Sequence, residues 1–484
     1  MNVLKIASAL KNEKLRWTVF SISLLSCGAL LFQNCSAKPV NTAAYSSNGT
    51  PTTVTCSITF TDTNFTQTIA LYSTVTAYDS SGVSLVRTCT KNYNGVGVLD
   101  GASTFSQQFA PAAPAVVGAH TVAAGRDFSC GTILGALKCW GFNGDGALGK
   151  GATSTQEQFP IGVVGTSGLT FSDISAGWGT TCGIASGALY CWGRNDLGEL
   201  GKTNNSNLLE NYAPKIVASM DTGVTRVSVG LRNVCAIKSG GLYCWGYNRW
   251  GQLGYGDLID RNAVPAKPVP GFSSGTIDVS TGGYYDGNTY PHTCAINSIG
   301  ELYCWGYNAE GEVGVGTTTQ YYSTPQKVTN SAGFTRVSAD GLHTCAIQSG
   351  VAKCWGWNPY GQLGNNSTLN SSAPVNVIGM PATSVALEIE IGTYHSCGLF
   401  TGGEIMCWGH NGQGQVGNSN TGANHWQAVQ VNGLASGVTE LHAGNRHNCV
   451  IQKGVAKCFG ENQYYKLGDT LGLNNPIPAL VFGQ

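Results

Sequence analysis

Residues 337–364 read VSADGLHTCAIQSGVAKCWGWNPYGQLG, and six other stretches of the chain repeat the pattern. Cys345 and Cys354 stand nine residues apart around Ser349-Gly350, and Trp355-Gly356 follows at once. A Gly in the second place of a two-residue connection marks a tight β-hairpin, because that turn needs positive φ. The same arithmetic holds for Cys130/Cys139, Cys182/Cys191, Cys235/Cys244 and Cys449/Cys458. Cys294/Cys304 and Cys397/Cys407 are ten apart, with one extra turn residue and with Gly300 and Gly403 at the left-handed position. Fourteen of the eighteen cysteines therefore fall into seven pairs, followed by Trp-Gly six times and by Phe459-Gly460 in the last copy.

Counting back from each turn places the paired cysteines opposite one another at a non-hydrogen-bonded position, where Cα atoms approach most closely. A cross-strand disulfide forms there. The competing chemistry, zinc, prefers C-x-x-C knuckles, and the chain has none. Disulfides require an oxidising compartment. The N-terminus agrees: Lys5, Lys11, Lys14 and Arg16 precede an uncharged run from Trp17 to Phe32, shorter than the ~20 residues of a membrane-spanning helix. It reads as a secretory signal and resembles that of a bacterial lipoprotein. Cys35 is the expected lipidated residue, because Cys27 then leaves with the signal and sixteen cysteines remain as eight pairs, the eighth being Cys56-Cys89. Cys27 is the alternative, and plain secretion or an uncleaved anchor are the others.

The chain thus divides into a signal (1–35), a Ser/Thr/Asn/Pro-rich tether (36–52), a small β domain (53–107) and a propeller (108–484). The expected localisation is the cell envelope, with membrane contact through a lipid anchor only. Seven copies of about fifty residues suit a closed ring of four-stranded antiparallel blades, an all-β fold. In the fifth copy the four strands are expected at 335–339, 343–348, 351–356 and 375–378, with Ala346, Ile347, Val351 and Ala352 buried between blades. How the ring closes stays open, because a P-x-x-V element stands both at Pro114–Val117 and at Pro478–Val481.

The repeated string G-x-x-H-T-C-A-I…G-x-L-Y-C-W-G-x-N-x-x-G-Q-L-G closely resembles the regulator-of-chromosome-condensation repeat family. That resemblance implies a seven-bladed β-propeller. Founding members are guanine-nucleotide exchange factors for a nuclear small GTPase. The fold also resembles secreted bacterial propellers that inhibit β-lactamases through a broad protein-binding face. The resemblance carries over the pairs Asn143/Gly146, Asn195/Gly198, Asn248/Gly251, Asn308/Gly311, Asn358/Gly361 and Asn411/Gly414 as frames of tight turns. The seventh copy has Tyr465 where Gly is expected, which predicts a reshaped loop.

Charged residues make up 11% of the chain and the formal net charge is zero, which speaks against nucleic-acid binding. No H-E-x-x-H or phosphate loop occurs, and no enzyme, cofactor or metal is expected. His292, His343, His395 and His447 share one repeat position. A metal or pH device is one reading of them, and hydrogen bonding within their own blades is the other, favoured because Phe128, Thr180 and Asn233 replace them elsewhere.

Strand order puts the variable loops on one face and the glycine hairpins on the other. The expected binding residues on the variable face are Trp178, Arg232, Trp250, Tyr284, Tyr285, Tyr290, Tyr360, Tyr394, Arg446 and Tyr464, with a seven-residue insertion within Gly283–Pro291 of the fourth copy. Exposed Trp, Tyr and Arg dominate binding hot spots. The alternative is that these rings pack on neighbouring loops as spacers. The sequence supports a non-enzymatic module for a protein partner. A glycan-binding module is the alternative, and an exchange factor ranks third.

Overall fold

In a computed structural model, the chain divides into two units, Met1–Pro114 and Ala115–Gln484. Residues 121–202, 211–380, 384–469 and 471–482 are described in full, and the earlier unit by strand backbone alone. In that first unit Ala37–Pro39, Thr55–Phe60 and Phe65–Ala70 form one sheet, and Thr74–Tyr78, Ser84–Lys91 and Gly97–Leu99 another. A short strand thus falls in the segment read as a tether. The side chains of Cys56 and Cys89, the signal with Cys27 and Cys35, and Pro114–Val117 lie outside the described residues. Among the described residues no helix is long and apolar enough to cross a membrane.

The second unit is a ring of seven antiparallel sheets, each built from consecutive strands. Blade 1 runs Val122–Ala124, Phe128–Ile133, Ala136–Phe142 and Gln156–Gly162; blade 2, Phe171–Ala176, Thr180–Ala185, Ala188–Gly193 and Lys215–Ile216. Blade 3 has Val224–Val229, Asn233–Lys238 and Gly241–Gly246, and its outer edge shrinks to one bridge between Gly246 and Arg261. Pro265, Pro268 and Pro270 lie in that edge segment, where missing N–H groups cannot extend a ladder. Blade 4 runs Thr276–Tyr285, Thr289–Asn297, Leu302–Tyr307 and Tyr321–Lys327; blade 5, Phe334–Asp340, His343–Gln348, Val351–Gly356 and Ser371–Asn376. Blade 6 runs Ala386–Ile391, His395–Phe400, Glu404–Gly409 and His425–Gln430; blade 7, Val438–Ala443, His447–Gln452, Val455–Gly460 and Asn475–Leu480.

Each of the seven blades carries one disulfide across its central hairpin. Cys130 bonds Cys139 in blade 1, Cys182 bonds Cys191 in blade 2, and Cys235 bonds Cys244 in blade 3. Cys294 bonds Cys304 in blade 4, and Cys345 bonds Cys354 in blade 5. Cys397 bonds Cys407 in blade 6, and Cys449 bonds Cys458 in blade 7. None joins two blades, and the paired Cα atoms lie 4.0–4.2 Å apart. The two partners stand directly opposite in every strand register, which is the position that the turn length selects. Leu134/Gly135, Ser186/Gly187, Ser239/Gly240, Ser349/Gly350 and Lys453/Gly454 all have positive φ at both turn positions, as a type I′ turn demands.

Two details of the fifth copy differ from expectation. Its fourth strand starts four residues early, at Ser371, because on an outer edge Pro374 sits beside a register shift and owes no hydrogen bond to a further strand. Val351 is 46% exposed, since it flanks the hairpin turn at the rim, whereas Ala346, Ile347 and Ala352 are buried as expected.

The core lies between blades rather than inside one. Cys182, Ile184 and Leu189 of blade 2 pack with Val224, Val227 and Trp245 of blade 3, and equivalent clusters fill the other seams. The closing seam joins Val122, Ile133 and Trp140 to Cys449, Ile451, Leu467 and Val481. Among the described residues, closure uses no shared strand. The Trp140 indole N–H donates to the Lys466 carbonyl at 2.9 Å across that seam, just as Trp192, Trp245, Trp305, Trp355 and Trp408 donate to Ala147, Glu199, Gln252, Glu312 and Gln362. Where Phe459 lacks a donor, Asn448 Nδ2 takes the waiting Gln415 carbonyl.

The histidines correct an expectation: they bond between blades, not within them. His292 Nε2 lies 2.8 Å from Thr344 Oγ1, His343 Nε2 2.9 Å from Ser396 Oγ, His395 Nε2 2.9 Å from Asn448 Oδ1, and His447 Nε2 2.8 Å from Ser129 Oγ. Thr344, Ser396 and Ser129 spend their single hydroxyl hydrogens on backbone carbonyls. Each imidazole must then be the donor, which makes it the neutral tautomer protonated on Nε2. The glycine three residues before the histidine position, which is Thr180 in blade 2, has an inter-blade reason too. A Cβ on Gly177, Gly392 or Gly444 would lie 2.3, 2.1 or 2.2 Å from a carbonyl oxygen of the following blade, so a side chain there would force the innermost strands apart.

Candidate functional site

One or two residues after each third strand stands an asparagine whose side chain shapes the loop on the variable face. Asn248 Oδ1 accepts the Leu253 N–H at 2.9 Å while Nδ2 donates to carbonyls at Asp257 and Ile259, and the equivalent bond to the residue five further on recurs at all seven asparagines. In the seventh copy Tyr465, where other copies use glycine, and Tyr464 before it adopt φ of 62° and 63°, and the loop is reshaped, as expected, into a short 3-10 turn.

The fourth-copy insertion is not a loop. It lengthens the first hairpin of blade 4 into an arm whose register continues through Gly283↔Pro291, Tyr284↔Tyr290 and Tyr285↔Thr289. Gly282 and Gly283 let it leave the blade, since a Cβ on Gly282 would sit 2.2 Å from the Ala339 carbonyl; Asp340 Oδ1 holds the bend by accepting the Gly283 N–H at 3.1 Å. Tyr285 meets Trp178 of blade 2 at 4.5 Å between ring centres, and Tyr284 meets Tyr394 of blade 6 at 5.9 Å. Blades 2 and 6 lie on opposite sides of blade 4 in a ring of seven. An arm touching both must cross the axis, so it spans the mouth of the central channel.

The expected site residues divide accordingly. Trp178, Tyr284, Tyr285 and Tyr394 meet over the mouth, joined by Arg126 stacked on Trp178 at 4.8 Å and Arg446 over Tyr394 at 5.4 Å. Tyr360 extends this group through Tyr394 at 5.5 Å. Trp250 and Tyr290 are buttresses: the Trp250 indole N–H donates to the Thr289 carbonyl at 2.6 Å, and Tyr290 packs on Tyr307 at 4.8 Å. Arg232 is held by Asp196 at 2.9 Å beside Trp178. Tyr464 lies apart, against Phe142 at the closing seam. Most of these rings are half-buried on one another, while Tyr285 is 43% exposed. The cysteines take no part in this site. Cys139, Cys191, Cys244, Cys304, Cys354, Cys407 and Cys458 sit on the third strands of their blades, buried with their partners in the seams, and none lines the central channel. Their role is to hold the hairpins from which the loops of the variable face spring.

Sequence reading missed the channel wall. Along each innermost strand, alternate residues face inward and stitch to the next blade. Asp173 accepts the Val227 N–H, Asp278 that of Val337 and Glu388 that of Leu441, at 3.0–3.1 Å. Two residues on, Ser175, Ser228, Ser280 and Ser338 accept from Val229, Thr281, Ala339 and Ile391. Blades 1, 6 and 7 break this second ring by placing Ala123, Glu390 and His442 at the serine position. That departure from V-S-A-G was the available signal. Under the arm these inward side chains enclose a cavity of about 230 Å³. Arg226 bridges Asp278 at 3.1 Å and Asp173 at 3.8 Å across one side of it. Among the described residues no group of three or more His, Cys, Asp and Glu side chains converges to hold a metal ion.

Burial drives two sets of groups in opposite directions. It holds His292 and His343 at about 3 and His395 and His442 at about 4, below the ordinary 6.5. It raises Glu312 and Glu440 to about 8 from 4.5. The unfolded chain binds protons that the folded histidines refuse, so stability falls as pH drops below 6.5. The folded glutamates hold protons that the unfolded chain releases, so their contribution is complete below 4.5 and is lost as pH rises through 8. The opposing slopes overlap between 4.5 and 6.5. The thermal midpoint is expected to be highest there and to fall toward pH 8, and Glu312→Gln should flatten that alkaline limb. A midpoint rising from pH 6.5 to 8 would refute the assignment.

Comparison with known proteins matches this architecture. The family model described as "Regulator of chromosome condensation (RCC1) repeat" matches residues 186–237, 239–285, 300–347 and 354–399, and a second model of that description matches 387–415. The ultraviolet-B receptor UVR8 of Arabidopsis thaliana is 31% identical over 219 residues, covering 45% of this chain and 47% of that protein. The mitochondrial RCC1 domain-containing protein RUG3 of the same plant is 28% identical over 308 residues, covering 60% of this chain and 66% of its own length. The chain thus spans about half to two thirds of these curated relatives. Among solved structures, Prp20p from Saccharomyces cerevisiae superposes with a TM-score of 0.62 at 18% identity, over 76% of this chain and 87% of its own. Human WBSCR16 does so with a TM-score of 0.60 at 18% identity, over 70% and 88%. At these identities the likeness concerns the fold.

Proposed function

Because this chain carries regulator-of-chromosome-condensation repeats folded as a seven-bladed propeller, we propose that it is a non-enzymatic module binding a protein partner through the face that bears the tyrosine arm. The carrying observation is the ring network that runs from Trp178 through the arm to Tyr394, Tyr360 and His410. Rigid Tyr and Trp side chains offer contact area at low entropic cost, and here mutual packing has already fixed their rotamers. The breadth of the network suits a protein surface better than a sugar, which calls for a narrow pocket with one or two stacking rings. Export, with tethering through Cys35, belongs to the same proposal, since seven hairpin disulfides need an oxidising environment. Fatty-acid labelling should be lost in Cys35→Ala and retained in Cys27→Ala.

The test begins with cross-linking of the full chain in its native envelope and identification of the captured protein. Tyr285→Ala and Trp178→Ala should each weaken that complex by about 2 kcal/mol, the size of a hot-spot truncation. Tyr464→Ala, at the seam, should leave it unchanged. A complex indifferent to Tyr285 and Trp178 would make the arm a spacer and move the interface elsewhere.

A further inference from the structure

The cavity beneath the arm contains one carboxylate that the fold does not use. Asp173, Asp278 and Glu388 each accept a backbone N–H from a neighbouring blade, and Glu440 accepts that of Val122. Glu390 faces the cavity from the second ring, and neither its side chain nor that of His442 has a hydrogen-bond partner among the described residues. A carboxylate enclosed in a channel without a partner is costly unless it is neutralised or paired. Burial and the adjacent Glu388 push its carboxyl well above the ordinary range.

The surroundings select the partner's charge. Among the charged groups that line the cavity, Arg226 is committed to Asp278 and Asp173, and Asp340 accepts the Gly283 N–H, which leaves Glu390 as the charge without a partner. The arginines of the rim do not reverse this. Arg126 pairs with Asp127 at 3.3 Å, Arg194 and Arg232 share Asp196, and Arg446 pairs with Glu461 at 3.6 Å. Above the carboxylate lie the rings of Tyr284, Tyr285, Trp178 and Tyr394, whose faces favour cations; Arg126 already covers Trp178 and Tyr285, and Arg446 covers Tyr394. The space, about 230 Å³, corresponds to roughly seven or eight waters at ~30 Å³ each. It suits a small organic molecule.

We propose that the cavity under the tyrosine arm binds a small alkylammonium ligand, with Glu390 as its counter-ion and the arm as its cover. A free amine is the chosen source, rather than a lysine of a partner, because the arm already spans the mouth and a macromolecule would have to displace it. This inference is independent of the protein-binding reading, which concerns the outer surface of the same arm.

Titration calorimetry of the full chain, disulfides intact, with putrescine as probe and 1,4-butanediol as its neutral counterpart tests the proposal. Putrescine should bind and butanediol should not. Glu390→Gln, which preserves shape and removes the charge, should weaken putrescine at least tenfold, while its thermal midpoint shows that the variant is folded. Tyr285→Ala should speed putrescine dissociation, and a decapeptide with a central lysine should fail to compete. Absence of putrescine binding, equal binding of the diol, or full affinity in a folded Glu390→Gln protein would each overturn it. So would tight binding of the lysine peptide in place of the free diamine.

Discussion

Complete reduction of the seven hairpin disulfides is expected to unfold the propeller. Each closes a loop of nine or ten residues, and in the chain-entropy model such a loop restricts the unfolded chain by roughly 2–3 kcal/mol. Seven together amount to roughly 14–21 kcal/mol, against a typical folding free energy of about 5–15 kcal/mol. The packing between blades cannot make up that difference, because the cysteines are themselves part of it: Cys345, Cys354, Cys397 and Cys407 are buried in the clusters that join adjacent blades. Burial also predicts the kinetics. With these cysteines at 0–2% exposure, a reductant must wait for blades to open, so reduction should be slow in native buffer and fast in urea. The measurement is thermal unfolding by circular dichroism before and after reduction, with thiol content verified by mass. A fully reduced protein with an unchanged midpoint would sink the argument. Removing one staple, in Cys345→Ala/Cys354→Ala, should cost about 2–3 kcal/mol and leave the ring folded.

Lys466→Met should destabilise the ring by about 3 kcal/mol, at the low end for a broken buried ion pair. The lysine is fully buried at the closing seam, where its ammonium donates to Glu461 Oε2 at 2.6 Å, Asp127 Oδ1 at 3.0 Å and the Arg126 carbonyl at 3.3 Å. Methionine keeps the chain length and the backbone carbonyl that accepts from Ser129 and Trp140, so the substitution removes little beyond charge. It takes the buried partner from two carboxylates. Glu461 retains Arg446 at 3.6 Å and Asp127 retains Arg126 at 3.3 Å, which is why the low end of the range applies. The six other seams use Ala147, Glu199, Gln252, Glu312, Gln362 or Gln415 at this position, and Gln252 accepts the Trp250 N–H within its own turn. Lys466→Gln should therefore recover part of the loss. Hydrogen exchange localises the effect: protection should fall first at the strands beside the closing seam, and a uniform fall around the ring would contradict the seam assignment.

Hairpin turns, disulfide partners, blade number and the asparagine loops were legible in the sequence, and so was the face on which the aromatic residues gather. All of them are set by neighbours within a dozen residues: Gly350 by the sign of its φ, Cys354 by its register with Cys345, Asn358 by its bond to Leu363. A repeat makes such local signals stronger, since each copy votes for the same register. What the sequence could not state was which copies touch. The histidines bond across seams because the ring sets residues about fifty apart side by side, as with His343 and Ser396. Tyr285 reaches Trp178, and Tyr284 reaches Tyr394, because a hairpin lengthened by a few residues leans over the axis instead of away from it. Glu390 was visible as a departure from the serine pattern, but its enclosure beneath that arm was not. Ring curvature and arm direction are sums of small strand twists and packing choices over seven blades, and no local stretch of chain contains that sum.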